Sequence, residues 1–108
     1  MKNIILETEQ LAYEYLKGFG FSDEQITPLV TLGIKNLSES LEKLKKLLNE
    51  EGYSLKDLDN ILHAIKGLLL QLGHTQLAQK LNAIRLDLNS PNTVISINEL
   101  LFNDTQEN

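Results

Sequence analysis

Residues Val30 to Leu48 read VTLGIKNLSESLEKLKKLL. Within them Val30, Ile34, Leu37, Leu41, Leu44 and Leu48 recur at intervals of 4, 3, 4, 3 and 4. This spacing returns each apolar side chain to one face of a helix while polar residues fill the rest of the surface. A one-sided apolar seam of about five turns gains its stability by packing against other helices. The stretch therefore predicts a long helix over 28–50 and at least one helical neighbour.

The flanking sequence supplies those neighbours. Glu51-Gly52 closes the long helix, and Ser54-Leu-Lys-Asp57 marks a new start with an acid in the first turn, where the helix dipole favours it. Leu58, Leu62, Ile65, Leu69 and Leu72 form the next seam, ended by Gly73 as a C-cap. Thr75 is placed to cap a further helix with the seam Leu77, Leu81, Ile84 and Leu88. Upstream, a first helix is expected over Asn3 to Lys17, with Ile4, Ile5, Leu11, Ala12, Tyr15 and Leu16 on its apolar face. Gly18-Phe19-Gly20 ends it. Ser22-Asp-Glu-Gln25 has the form of a capping box, and Pro28 close behind predicts a short helical turn before the long helix. After Ser90-Pro91, a second capping pattern, Ser96-Ile-Asn-Glu99, precedes Leu100, Leu101 and Phe102 and predicts a short last helix. The expected fold is all-α, an up-and-down antiparallel four-helix bundle with short additional helices. Residues 1–103 are expected to form one domain and 104–108 a flexible tail.

Composition narrows the classes of function. Of the 108 residues, 42% are hydrophobic and 23% charged, as in an ordinary globular domain. The absence of cysteine removes disulfides and thiolate metal sites. Fifteen acidic residues against ten basic ones give a net charge of −5, which opposes binding to nucleic acid phosphates. The basic cluster Lys43, Lys45 and Lys46 is interleaved with Leu44 and Leu47 and reads as a solvated helix face. No apolar run reaches the roughly 18–20 residues of a membrane span, and MKNIILETEQ lacks the pattern of a signal peptide. The expected location is cytoplasmic, with neither membrane nor nucleic acid as a partner.

The residues that carry chemistry lie in HAIKGLLLQLG, His63 to Gly73. On a helical wheel the seam of this helix covers one arc, widened by Ile61 and Leu68. His63, Gly67 and Leu70 fall opposite, flanked by Asp59, Asn60, Lys66 and Gln71. A helix-interior glycine costs about 1 kcal/mol relative to alanine, and on an outward face close helix packing does not explain it. A missing Cβ there lets another molecule's backbone approach. Lys66, one turn from His63, can stabilise an anion carried on the imidazole. Leu70 adds apolar contact area. Together these residues describe a histidine presented to another protein and able to hold a phosphoryl group.

This stretch resembles the signature of histidine-containing phosphotransfer domains, H-x-x-K-G followed by a glycine ten positions after the histidine. His63, Lys66, Gly67 and Gly73 match it, with Leu72 in the hydrophobic slot before the last glycine. The three helices expected over 28–50, 55–72 and 75–88 also match that family's layout. The resemblance implies a carrier in a multistep phosphorelay, between a hybrid sensor histidine kinase and response-regulator receiver domains. By this analogy His63 accepts the phosphoryl group of a receiver's phospho-aspartate and passes it to a second receiver. Lys66 would balance the phosphate charge and Gly67 would leave room for the receiver, with Asp59, Asn60, Leu70 and Gln71 in the docking face. The Mg²⁺ would belong to the receiver; the domain itself would need no cofactor, act as a monomer and have no catalytic activity of its own. The family carries small residues where this chain has Leu68 and Leu69. Many members also place a glutamine on the following helix where this chain has Arg85, which becomes a candidate phosphate contact.

Two rival readings come from the same residues. The first is a non-catalytic helical adapter that binds a signalling partner through the His63 face. The second is the phosphoryl-accepting domain of a chemotaxis-type kinase, whose ATP-binding and dimerisation domains 108 residues cannot hold. A metal site is disfavoured because His74, the other histidine, lies eleven residues away and beyond the helix stop. No second convergent catalytic group accompanies His63, which argues against an independent enzyme.

Overall fold

The computed structural model describes residues 4–102 and is all-helical. Five α-helices follow in order: α1 (Ile4–Lys17), α2 (Asp23–Leu48), α3 (Leu55–Gln71), α4 (Thr75–Arg85) and α5 (Thr93–Ile97). A π-helical turn, Asn98–Phe102, completes the described chain. Asn3 and the tail expected over 104–108 lie outside the described residues. Each helix packs on the next, α1 on α2, α2 on α3, α3 on α4 and α4 on α5. Among the described residues, no helix is long and apolar enough to cross a membrane.

The seams account for most of the core. The four seam residues within α3, Leu58, Leu62, Ile65 and Leu69, are completely buried, and the fifth, Leu72, is buried at its C-cap. They meet Val30, Leu37, Leu41 and Leu44 of α2 and Leu77 and Leu81 of α4 in one apolar cluster, with Ile34, Leu48, Ile84 and Leu88 packed partly buried at its edge. In α1 the buried stripe is Ile4, Thr8 and Ala12, at intervals of four. Tyr15, expected on the apolar face, is instead 41% exposed, with its ring edge-on to Phe19.

Pro28 does not divide α2. Asp23 to Leu48 is one continuous helix of 26 residues, contrary to the short turn and separate long helix expected from sequence. The physical reason lies at its N-terminus. The Ser22 side chain accepts from the Gln25 amide at 3.3 Å, and the Gln25 side chain accepts from the Ser22 amide at 2.9 Å. The Thr27 hydroxyl donates to the Asp23 carbonyl at 3.0 Å. Ile26 and Val30, one turn apart and on either side of the proline, are both fully buried. Burying two branched side chains offsets the single backbone hydrogen bond that proline cannot donate.

The α3–α4 junction is a tight left-handed stop. Gly73 has φ +82°, the Gly73 amide donates to the Leu70 carbonyl at 3.1 Å, and the His74 amide donates to the Leu69 carbonyl at 2.8 Å. These two bonds make a Schellman motif. The turn leaves His74 at the cap position and Thr75 inside the helix, so Thr75 is not the cap that the sequence suggested. The His74 side chain turns inward instead, 8% exposed, with Nε2 3.3 Å from Glu7 Oε1 on α1.

The end of the chain departs most from expectation. Helix α4 stops at Arg85, three residues before Leu88, and Leu86 is 80% exposed. Buried Thr93 explains the stop, because its hydroxyl lies within donating distance of three carbonyls at the loop: Ser90 at 2.9 Å, Asp87 at 3.2 Å and Leu88 at 3.3 Å. Helix α5 starts at Thr93, so Ser96 sits inside it, its amide bonded to the Asn92 carbonyl, and is not the cap of a later helix. Ile97 and Leu101 bury against the main core and anchor this segment.

Candidate functional site

Helix α3 starts on a Ser54 cap, whose hydroxyl accepts from the Asp57 amide at 3.0 Å, and its seam locks it against α2 and α4. Rotation about its axis is therefore set, and that places the opposite face. His63 is exposed, as are Asn60, Ala64 and Gln71, and Leu70 is 42% exposed. Leu69 is fully buried and Leu68 partly so, which puts the bulk of both leucines toward the core and away from His63.

Gly67 is one turn beyond His63 on this face. A Cβ built on Gly67 would meet nothing within 4 Å. Among the described residues, no contact requires glycine there. The contrast with Gly73 is plain, since a Cβ on Gly73 would run into the Tyr15 ring.

Around His63 the structure joins four polar residues into one chain between α3 and α4. The Arg85 guanidinium clasps Asp59 through two bonds, Nε to Oδ1 at 2.8 Å and Nη2 to Oδ2 at 3.4 Å. Its Nη1 donates to Asn82 Oδ1 at 3.4 Å, and the same oxygen accepts from Lys66 Nζ at 3.3 Å. The Arg85 hydrogen bonds hold the Asp59 carboxyl below its ordinary value; desolvation opposes them, and the charges of Arg85 and His63 add to the lowering. Asp59 is thus a firm carboxylate throughout the neutral range. Asp59 balances the charge of Arg85 and Lys66 rests only on the neutral Asn82 amide, so the cluster keeps one net positive charge suited to an anion.

Asp59 and Arg85 came from sequence as a docking residue and a candidate phosphate contact; in the structure they are partners of each other. Asn82 did not come from sequence. A signal for it exists: Asn82 stands three residues before Arg85, on the same helical face. Asn60 and Leu70 lie on opposite flanks of the His63 ridge. Leu70 and Lys66 line a groove of about 440 Å³ with Asn82, Ala78 and Leu86 between α3 and α4. Asn60 lines another of about 470 Å³, with Lys43 and Lys46, between α2 and α3.

Chemically, the face offers an accessible imidazole, a lysine resting on a neutral partner, an arginine held by a carboxylate and room for an approaching backbone. His74 is buried and paired with Glu7, so it adds nothing to this face. Among the described residues, no three acidic or histidine side chains are grouped to hold a metal ion. In comparison with known proteins, the chain matches no protein-family model, no curated protein and no solved structure.

Proposed function

We propose that this chain is a histidine phosphotransfer protein of a two-component phosphorelay, built as an up-and-down four-helix bundle of α1 to α4 and acting as a cytoplasmic monomer. The observation that carries the reading is the open space at Gly67 one turn from exposed His63. A helix carries that glycine at a cost of about 1 kcal/mol with no contact among the described residues to justify it, and an incoming partner supplies the reason. The reading also rests on the resemblance of His63, Lys66, Gly67 and Gly73 to the phosphotransfer signature.

In the proposed step an imidazole nitrogen of His63 attacks the phosphorus of a receiver's phospho-aspartate. The N–P bond forms as the P–O bond to the aspartate breaks, and the carboxylate leaves with its electron pair. Transfer to a second receiver reverses this sequence. Positioning and charge stabilisation dominate such reactions, and the receiver brings the Mg²⁺. Lys66 is the nearby cation for the phosphoryl oxygens. The chain is then a carrier, with no catalytic activity of its own.

The test is incubation of the chain with a phosphorylated receiver domain from the same cell. An acid-labile, alkali-stable label on His63 is the expected result, and no label from any such receiver overturns the proposal. Lys66→Ala should fold normally and slow transfer about tenfold or more, since a charge-assisted hydrogen bond contributes about 1.5–3 kcal/mol. Unchanged transfer kinetics would remove Lys66 from the mechanism. Gly67→Gln should weaken receiver binding by about tenfold, the effect of overpacking a close contact by 1–3 kcal/mol. A binding titration that gives equal affinities would defeat the clearance argument.

A second reading, the non-catalytic adapter, draws on the exposed Leu70 and Leu86 along the α3–α4 groove. It requires His63→Gln to keep both partner binding and cellular function.

A further inference from the structure

We propose that Asp59 is a positioning residue: it holds the Arg85 guanidinium in a resting ion pair one turn from His63, and a phosphoryl group on His63 takes that guanidinium from it. The inference rests on His63 as the phosphoryl-bearing residue, but on no particular receiver.

The geometry sets up the exchange. Asp59 and His63 are four residues apart on one face of α3, which puts their Cβ atoms about 5–6 Å from each other. Arg85 reaches this face from α4 and grips Asp59 with Nε and Nη2, while Nη1 rests on Asn82 Oδ1. Its side chain is 19% exposed and that of Asp59 is 39% exposed, so the pair sits at the edge of solvent and is able to open. Asn82 is the pivot. It is bonded to Arg85 and Lys66 together, and Nη1 can stay on it while Nε and Nη2 change partners.

Charge supplies the drive. A phosphoryl group on the imidazole brings close to two negative charges beside the Asp59 carboxylate. Like charges at that separation repel, and both compete for the same guanidinium. The planar fork of arginine fits phosphate oxygens in pairs as well as it fits a carboxylate. Asp59 therefore weakens the hold of Arg85 on the phosphoryl group. A carrier gains from that, since a phosphohistidine held less tightly is passed on more readily. Glutamine at position 85 would have no charge to exchange, so the pair makes sense of arginine at this place in the chain.

Phosphoramidate provides a test that needs no receiver. It donates its phosphoryl group to an imidazole nitrogen; the N–P bond to His63 forms, the reagent's own P–N bond breaks, and ammonia leaves. The intact chain is loaded in this way, and phosphohistidine half-life and the ³¹P resonance are followed. Asp59→Asn should lengthen the half-life by about threefold, the factor given by an ion pair of modest, partly exposed strength, and should move the ³¹P resonance. Asp59→Glu should restore the parent values, and Asp59→Asn placed on Arg85→Gln should lengthen the half-life by clearly less than threefold, because only the direct repulsion between Asp59 and the phosphoryl group is then relieved. Equal half-lives in the parent and Asp59→Asn overturn the inference. So does the same lengthening in the Arg85→Gln background, or a label that does not reside on His63. If receivers never label the chain while the Asp59 effect persists, the phosphorelay reading fails and the ion-pair exchange stands.

Discussion

His63→Gln should abolish labelling of this chain by a phosphorylated receiver while its thermal midpoint stays within about 3 °C of the parent. Both halves follow from position. His63 is exposed, outside the apolar cluster, so its loss removes no core contact. Glutamine is also a good helix former, so α3 does not suffer locally. What disappears is the nitrogen lone pair that attacks phosphorus. The other histidine cannot substitute, because His74 is buried beneath the α3–α4 turn with its ring against Glu7. Gel autoradiography after brief incubation, with parallel melting curves, reads both quantities. A His63→Gln chain that still takes acid-labile label places the acceptor elsewhere and ends the proposal.

The largest loss of stability from a one-carbon addition is expected at Gly73. Gly73→Ala forces an L residue into φ +82°, which costs about 1–2 kcal/mol. The added methyl also overlaps the Tyr15 ring, and such overpacking costs a further 1–3 kcal/mol. The sum, about 2–5 kcal/mol, is a large share of the 5–15 kcal/mol that stabilises a typical domain. Gly67→Ala makes the opposite change six residues earlier. Its backbone is helical and its Cβ position is open, so alanine should stabilise the chain by about 0.5–1 kcal/mol. Urea unfolding of the two variants measures both signs. Two alanine variants of equal stability would contradict the packing of Tyr15 on the turn.

These two glycines show how much of the site was legible. Gly73 read as a helix stop from its place after the Leu72 seam, and the Schellman bonds at Leu69 and Leu70 agree. That α1 lays Tyr15 on it was invisible, because the contact joins residues 58 positions apart along the chain. The outward placement of His63 and Gly67 followed from helical periodicity, since the burial of Leu58, Leu62, Ile65 and Leu69 determines the opposite face. The Arg85–Asp59 pair and its Asn82 pivot did not follow. Periodicity orients residues around a helix axis, but it carries no information on how far one helix slides along its neighbour.

The same division runs through the fold. Local chemistry was sufficient for the seams of α2 and α3, for the Ser22 and Ser54 caps and for the stop at Gly73. Each depends on residues within a turn or two, whose geometry the helix itself dictates. Tertiary structure decided the rest. It carried α2 through Pro28 by burying Ile26 and Val30, tied down the loop after α4 through the buried Thr93 hydroxyl, and turned the side chain of the cap residue His74 toward Glu7. In these places a local preference worth about 1–3 kcal/mol met long-range burial and hydrogen bonding worth more, and the stronger interactions prevailed.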